Sequence, residues 1–410
     1  MMKRLWNLVN LPRRKAVVGA TPADVVHREN KWQLLRYRAR PSGLAFKTPV
    51  VLVPSLINRH YVLDLMPGKS FTEFLVAQGH DVFTIDWGTP SDEDRYLEFD
   101  EVCDRYLGRA VRKAASLAGV EKVHLLGYCL GGTLTTIYAA ARPEYVASLT
   151  CVAAPVKFHD QGLLSAWTNT PTLDLAALVD GAGNVPWQLM QSAFHMLRPT
   201  LNLSKAVHLL ERAWDDEYLN GLLALETWGN DNVSFPGACY RQYIERLYRG
   251  DELAKGTLLL SGVQARLENL ACSLLSVTFE HDNIVPKESA TALIERASSK
   301  DKVPLHLPGG HVGAMVSKAA AKGLWPKLSA FWAARDAVAQ PVRVEVPTPA
   351  PAPAPVPAPA PVPTSVEAAP ATPSPEPPTE GWYEQQRNKK RTTPPGIVFD
   401  SAPRSIPSRP

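Results

Sequence analysis

The sequence predicts an α/β fold: a mostly parallel sheet covered by helices on both faces and interrupted by a helical insertion. Three observations predict it. Short, continuously apolar runs alternate with segments of helical spacing, the pattern of strands buried on both faces. One run, Val123-His124-Leu125-Leu126, ends in Gly127-Tyr128-Cys129-Leu130-Gly131-Gly132 and passes directly into a helical stretch, Thr133 to Ala141. The alternation stops near residue 155 and resumes after residue 256.

The elements follow in order. Residues 1–25 open with Met1-Met2-Lys3-Arg4 and continue to Arg13-Arg14-Lys15, with a short apolar stretch broken by Asn7 and Asn10. This is expected to be a basic amphipathic segment lying on a surface, or a frayed terminus, rather than a signal peptide. The catalytic core is assigned to residues 26–154 and 257–338. Its first strand is Pro49 to Pro54. Ser70 to Gly79 forms a helix closed by a glycine cap, and His80 to Trp87 is the second strand. Phe99 to Gly119 has helical spacing, and Lys122 to Tyr128 and Tyr145 to Ala153 are the next strands. Residues 155–256 are helical or irregular and carry Trp167, Trp187, Trp214 and Trp228, as expected of a cap over the site, with the tryptophans as packing. Strands resume at Ser273 to Phe279 and Val303 to Leu307. The last helical stretch, 314–338, is expected to be divided into two helices by Gly323 and Pro326. Residues 339–380 form a Pro/Ala-rich linker: 15 of the chain's 37 prolines fall between 341 and 380. Such a tract favours extended polyproline. Residues 381–410 are expected to be a disordered basic tail, with a docking peptide around Trp382-Tyr383 as the alternative.

Bulk composition narrows the function classes. Hydrophobic residues make up 45% of 410, enough for a sizeable core, and the net charge of +4 is too weak to argue for nucleic acid. The five cysteines lack C-x-x-C spacing, so reduced thiols in a cytoplasmic protein are expected, with no metal site and no cofactor. No apolar run approaches the length of about 20 residues that spans a membrane.

Strand, G-x-nucleophile-x-G turn and helix form the nucleophile elbow of the α/β-hydrolase fold, here with Cys129 in place of serine. A thiol at that point favours acyl-thioester chemistry. The expected partners come later in the chain, an acid and then a histidine, each after a strand. Asp282 in Glu280-His281-Asp282-Asn283 and His311 in Gly309-Gly310-His311 fit that order. His311 is placed to accept the Cys129 proton, and the start of a helix favours an anion at Cys129. The backbone N–H of Leu130 is expected to supply half of an oxyanion hole. The other half is expected from the loop after the first strand, near Ser55 to Asn58, with Ile57 as the donor. His281 competes with His311 but lacks its glycine-flanked loop, and His124 reads as a core histidine.

These motifs resemble the polyhydroxyalkanoate (PHA) synthases over about residues 20–335. Residues 127–132 match that family's lipase-like box with cysteine as nucleophile. Val53 to Leu65, Asp86-Trp87-Gly88, Trp228 to Asn232 with Pro236-Gly237, Glu280 to Pro286 and Gly310-His311 resemble further family segments. The resemblance implies polymerisation of (R)-3-hydroxyacyl-CoA with release of CoA. Cys129 would carry the chain as a thioester and His311 would activate it. Asp282 would activate the substrate hydroxyl or orient His311. The CoA thioester is then substrate rather than cofactor. Implied partners are the growing polymer and the surface of its granules in the cytoplasm. A homodimer, with Trp228 in the cap region that contributes to it, and a second synthase subunit of the kind short synthases need are also implied. The alternative is an acyl-CoA thioesterase or polyester depolymerase using the same three residues.

Overall fold

At the centre of the sheet runs β5, Val123–Tyr128, with every residue buried. The computed structural model describes residues 2–197 and 201–336; the 339–380 linker and the 381–410 tail lie outside the described residues. The strands in chain order are β1 Ala23–Glu29, β2 Trp32–Tyr37, β3 Val50–Val53, β4 Val82–Asp86, β5, β6 Val146–Val152, the small hairpin β7 Leu259–Leu260 and β8 Val263–Gln264, β9 Ser273–Phe279, and β10 Lys302–Leu307. Eight of them form one sheet in the order β1-β2-β4-β3-β5-β6-β9-β10. The pairs from β4 to β10 are parallel, and β1 and β2 add an antiparallel edge.

The parallel strands form because their residues are apolar on both faces. Val50 to Val53 alternate between two cores: Val51 and Val53 join one face, Val50 and Leu52 the other. The helices preceding the insertion are α1 Met2–Asn10, α2 Phe71–Gln78, α3 Leu107–Ala118 and α4 Leu130–Ala141. Ser70 caps α2 by accepting from the Glu73 N–H, and Gly79 closes it at φ 92°. The α4 helix is buried along its whole length, which requires the apolar and small residues it carries. The 99–119 segment is a π-helical turn, Glu101–Tyr106, running into α3.

The insertion holds α5 Leu163–Thr168, α6 Leu175–Ala182, α7 Trp187–Met196, α8 Leu201–Arg212, α9 Asp216–Asn230, α10 Gly237–Gln242, a π-helical turn Tyr243–Arg249, and α11 Glu252–Lys255. After β9 come α12 Lys287–Arg296, α13 Gly313–Val316 and α14 Lys318–Ala333.

Two features depart from the sequence reading. One is the antiparallel β1–β2 hairpin. Its strands mix charged and apolar residues, as suits an edge pair with one covered face. The terminal helical stretch is not divided at Gly323 or Pro326; the break falls at Ser317, which caps α14 through the Ala320 N–H. Pro326 sits inside α14, whose Leu324, Trp325, Leu328, Phe331 and Trp332 are all buried against the sheet. That burial outweighs the cost of a proline inside a helix, the lost hydrogen bond and the ring clash together being about 3 kcal/mol.

Beneath α14 lies a buried polar layer. His80 Nε2 pairs with Ser329 Oγ at 2.8 Å and His124 Nδ1 with Ser148 Oγ at 2.7 Å. The Trp332 indole packs against both imidazoles and donates to Thr150 Oγ1 at 3.1 Å. The second nitrogen of each histidine is buried without a hydrogen-bond partner. His124 is thus a core histidine, satisfied on one side only.

Candidate active site

Cys129 joins β5 to α4 at φ 55°, ψ −128°. For a residue with a Cβ this is a strained backbone, held because the surrounding packing permits nothing else. A Cβ on Gly131 would lie 2.0 Å from the Val53 carbonyl oxygen, and one on Gly127 would lie 2.3 Å from the Gly132 Cα. Glycine at these positions lets α4 start directly against β5 and the end of β3. The Cys129 N–H donates to the Val152 carbonyl at 3.0 Å, which pins the turn to β6.

Asp282 and His311 come from the ends of β9 and β10. One oxygen of the Asp282 carboxylate accepts from the Ile284 and Val285 N–H groups, both at 2.9 Å. The other takes the hydrogen bond with His311 Nδ1 at 2.8 Å, and both side chains are buried. With Nδ1 engaged by the carboxylate, Nε2 is the nitrogen left for the sulfur. Burial alone would lower the His311 pKa. The charge interaction with Cys129, the Asp282 hydrogen bond and the hydrogen bond with Cys129 outweigh burial and raise it to about 10. The site therefore favours an imidazolium beside the sulfur.

The Leu130 and Gly131 N–H groups open α4, where backbone donors have no intrahelical acceptor. Ile57 lies in the turn after β3, and its carbonyl accepts from the Val233 N–H of the insertion at 3.3 Å. The His281 N–H donates to the Gly309 carbonyl at 2.9 Å, and the histidine that bonds Asp282 is His311.

The structure adds residues that sequence reasoning did not single out. Tyr128 lies under His311, rings 5.4 Å apart and stacked, and its hydroxyl donates to the His311 carbonyl at 3.0 Å. Tyr243 and Tyr248 stand together on the π-helical turn, their rings edge to face at 5.5 Å. For Tyr128 its place beside the nucleophile was the available signal; for the other two there was none. The distant segments Val53 to Leu65, Asp86 to Gly88 and Trp228 to Asn232 also meet. Arg59 and Tyr61 both bind Asp231, at 3.0 and 2.9 Å. The Trp228 indole donates to the Arg59 carbonyl at 3.0 Å, and Asn58 donates to Asn232 at 2.6 Å.

Sheet order, elbow and the Asp–His pair define an α/β-hydrolase fold. The family described as alpha/beta hydrolase fold matches residues 48–317. The monoglyceride lipase of Saccharomyces cerevisiae has a similar fold, with a TM-score of 0.50, 10% identity, and coverage of 78% of this chain and 97% of that one. The family described as the N-terminus of poly-beta-hydroxybutyrate polymerase matches residues 15–75. The chain is 35% identical over 324 residues to the poly(3-hydroxyalkanoate) polymerase subunit PhaC of Allochromatium vinosum, covering 78% of this chain and 90% of the relative. It is 35% identical over 320 residues to the same-named subunit of Haloferax mediterranei, covering 78% of this chain and 65% of the relative. The corresponding Synechocystis protein is 32% identical over 332 residues, 79% and 88% covered. The chain belongs to the poly(3-hydroxyalkanoate) polymerase family.

Proposed function

We propose that this protein is an acyltransferase that polymerises (R)-3-hydroxyacyl-CoA into polyhydroxyalkanoate with release of CoA. Family membership supports polymer synthesis. The observation that carries the mechanism is a cysteine at the elbow beside a histidine whose far nitrogen is held by a buried carboxylate. Cys129 Sγ attacks the thioester carbon of the acyl-CoA, and the C–S bond to CoA breaks. His311 Nε2 supplies the proton to the departing CoA thiolate, leaving the acyl group on Cys129 as a thioester. A hydroxyl from a second hydroxyacyl group or from the growing chain then attacks that carbon. His311 takes the hydroxyl proton, an ester bond forms, and the Cys129–acyl bond breaks. The Leu130 N–H, with Ile57 as second donor, would stabilise the oxyanion of both tetrahedral intermediates. Asp282 supports the orienting role best, because both its oxygens are engaged, one by His311 and the other by backbone N–H groups.

The thioester matters energetically. Transfer from CoA to Cys129 exchanges one thioester for another, so the acyl group stays activated for the hydroxyl. The partners that fit this reading are the acyl-CoA, the growing polymer and its granule surface in the cytoplasm. A homodimer and a second synthase subunit fit it as well. No described helix is long and apolar enough to cross a membrane.

Purified protein incubated with (R)-3-hydroxybutyryl-CoA should release CoA and form polymer, and Cys129→Ala should lose both. CoA release with only free hydroxy acid would assign the protein to thioesterases instead. Retention of activity in Cys129→Ala would remove the elbow from the mechanism.

A further inference from the structure

The first helix of the chain is built inside out. In α1, Met2, Leu5, Trp6 and Val9 recur at i, i+3, i+4 and i+7 and so share one face. A helix lying on a globular body would bury that face. Here it points to solvent, with none of the four less than 66% exposed. The polar face is turned inward instead. Asn7 is buried and donates to the Ala213 carbonyl at 2.8 Å and to Asp216 at 3.2 Å. Arg4 donates to the Glu211 carbonyl at 2.7 Å, and Lys3 and Arg14 reach Asp216 at 3.0 and 2.8 Å.

These bonds fasten α1 beside the end of α8, where the pattern repeats. Leu203, Val207 and Leu210 form one stripe of α8, Trp214 follows it, and all four are exposed. Apolar side chains held out in water by a polar attachment call for a partner, since covering them would remove that surface from water. Charge decides which partner fits. Residues 1–23 hold Lys3, Arg4, Arg13, Arg14 and Lys15 and no acid; the first acid is Asp24. Asp216 is shared by two of these cations, Arg4 is bonded to a carbonyl, and among the described residues Arg13 and Lys15 have no acidic partner. An exposed Trp–Leu face bordered by unneutralised cations complements an apolar layer beneath anionic head groups. A second copy of this chain would instead bring like charges against these.

We propose that α1, with the adjoining stripe of α8, docks the protein on the surface of an anionic phospholipid layer. Leu5 and Trp6 enter the boundary of the acyl chains, and Arg13 and Lys15 meet the phosphates. The proposal does not depend on the chemistry at Cys129. Binding of this kind is reversible, because few side chains enter the layer and each cation near the surface raises affinity by about fivefold.

The test is co-sedimentation of the full chain with vesicles of phosphatidylcholine alone and of phosphatidylcholine mixed with phosphatidylglycerol, at about 50 and 500 mM salt. At low salt the wild type should bind the mixed vesicles about 20-fold or more tightly than the neutral ones, and most of that margin should vanish at high salt. Leu5→Ser/Trp6→Ser should weaken binding to the mixed vesicles by about 10-fold or more. Its melting temperature should stay unchanged, because both side chains are exposed. Arg13→Ala/Lys15→Ala should bring the margin to within about threefold, and serves as the reading if the first variant does not fold. No binding to the mixed vesicles, equal binding to both kinds, or binding that neither variant weakens would overturn the proposal. Self-association of the wild type that Leu5→Ser/Trp6→Ser abolishes, read by sedimentation velocity without vesicles, would assign the face to a second copy and overturn it too. Binding to particles of poly(3-hydroxybutyrate) but not to mixed vesicles would assign the face to the polyester, with the same consequence.

Discussion

Acid should unfold this protein through the two histidines beneath α14. His80 and His124 are 2% and 1% exposed, and each is bonded through one nitrogen only. Burial lowers both pKa values from 6.5 to about 4; for His80 the neighbouring His124 adds to the effect, and for both Asp336 opposes it. The folded state therefore keeps both rings neutral where the unfolded chain protonates them. Below pH 6.5 the unfolded chain binds more protons, so stability falls as pH drops from 6.5 towards 4 and this contribution is flat below that. From pH 7 to pH 5 each ring should remove about 2 kcal/mol, and the pair about 4 kcal/mol. The assay is urea unfolding at both pH values for the wild type and for a His80→Asn/His124→Asn double variant. The wild type should lose about 4 kcal/mol more than the variant between those pH values. A difference below about 1 kcal/mol would refute the reasoning, because it would mean that the rings already hold protons or water in the fold.

Two further outcomes follow from the elbow. Gly131→Ala places a methyl group 2.0 Å from the Val53 carbonyl oxygen, where only backbone can yield. It should destabilise the fold by about 2–3 kcal/mol, read as a lower melting temperature, together with a loss of Cys129 acylation. His311 is the opposite of the buried pair. Its pKa is raised in the fold to about 10, so its contribution is complete below pH 6.5 and is lost as pH rises through 10. Urea unfolding at pH 7 and pH 10 should show a larger fall for the wild type than for His311→Gln, and equal falls would show that the imidazolium is not favoured.

Much of this fold is legible in the chain because burial on both faces leaves little freedom. Val50 to Val53 and Val123 to Tyr128 have no polar face to present to solvent, and Ser70 and Gly79 mark both ends of α2. The β1–β2 hairpin was hidden because its strands mix charge and hydrocarbon, as edge strands do. The two π-helical turns were hidden for another reason: one extra residue in a turn does not change the apolar spacing enough to be seen. Pro326 stays inside α14 because the buried face of that helix covers the sheet, which local propensity does not carry. At the site, Cys129, Asp282 and His311 could be placed by chain order at strand ends, and they lie there. Tyr243 and Tyr248 could not, since only the π-helical turn puts them side by side. The donor role of Ile57 depends on where one N–H points within a turn, which residue types do not determine.

The ties between the 57–61 loop and the 228–233 segment bear on how such proteins can be recombined. Asp231 grips Arg59 and Tyr61, Trp228 holds the Arg59 carbonyl, Asn232 meets Asn58, and Val233 holds the Ile57 carbonyl. A chimera that takes the 155–256 insertion from another family member while keeping its own post-β3 loop would break a matched set of polar contacts. The exchangeable unit is therefore discontinuous in sequence: residues 57–61 must travel with the insertion, although they lie far from it along the chain.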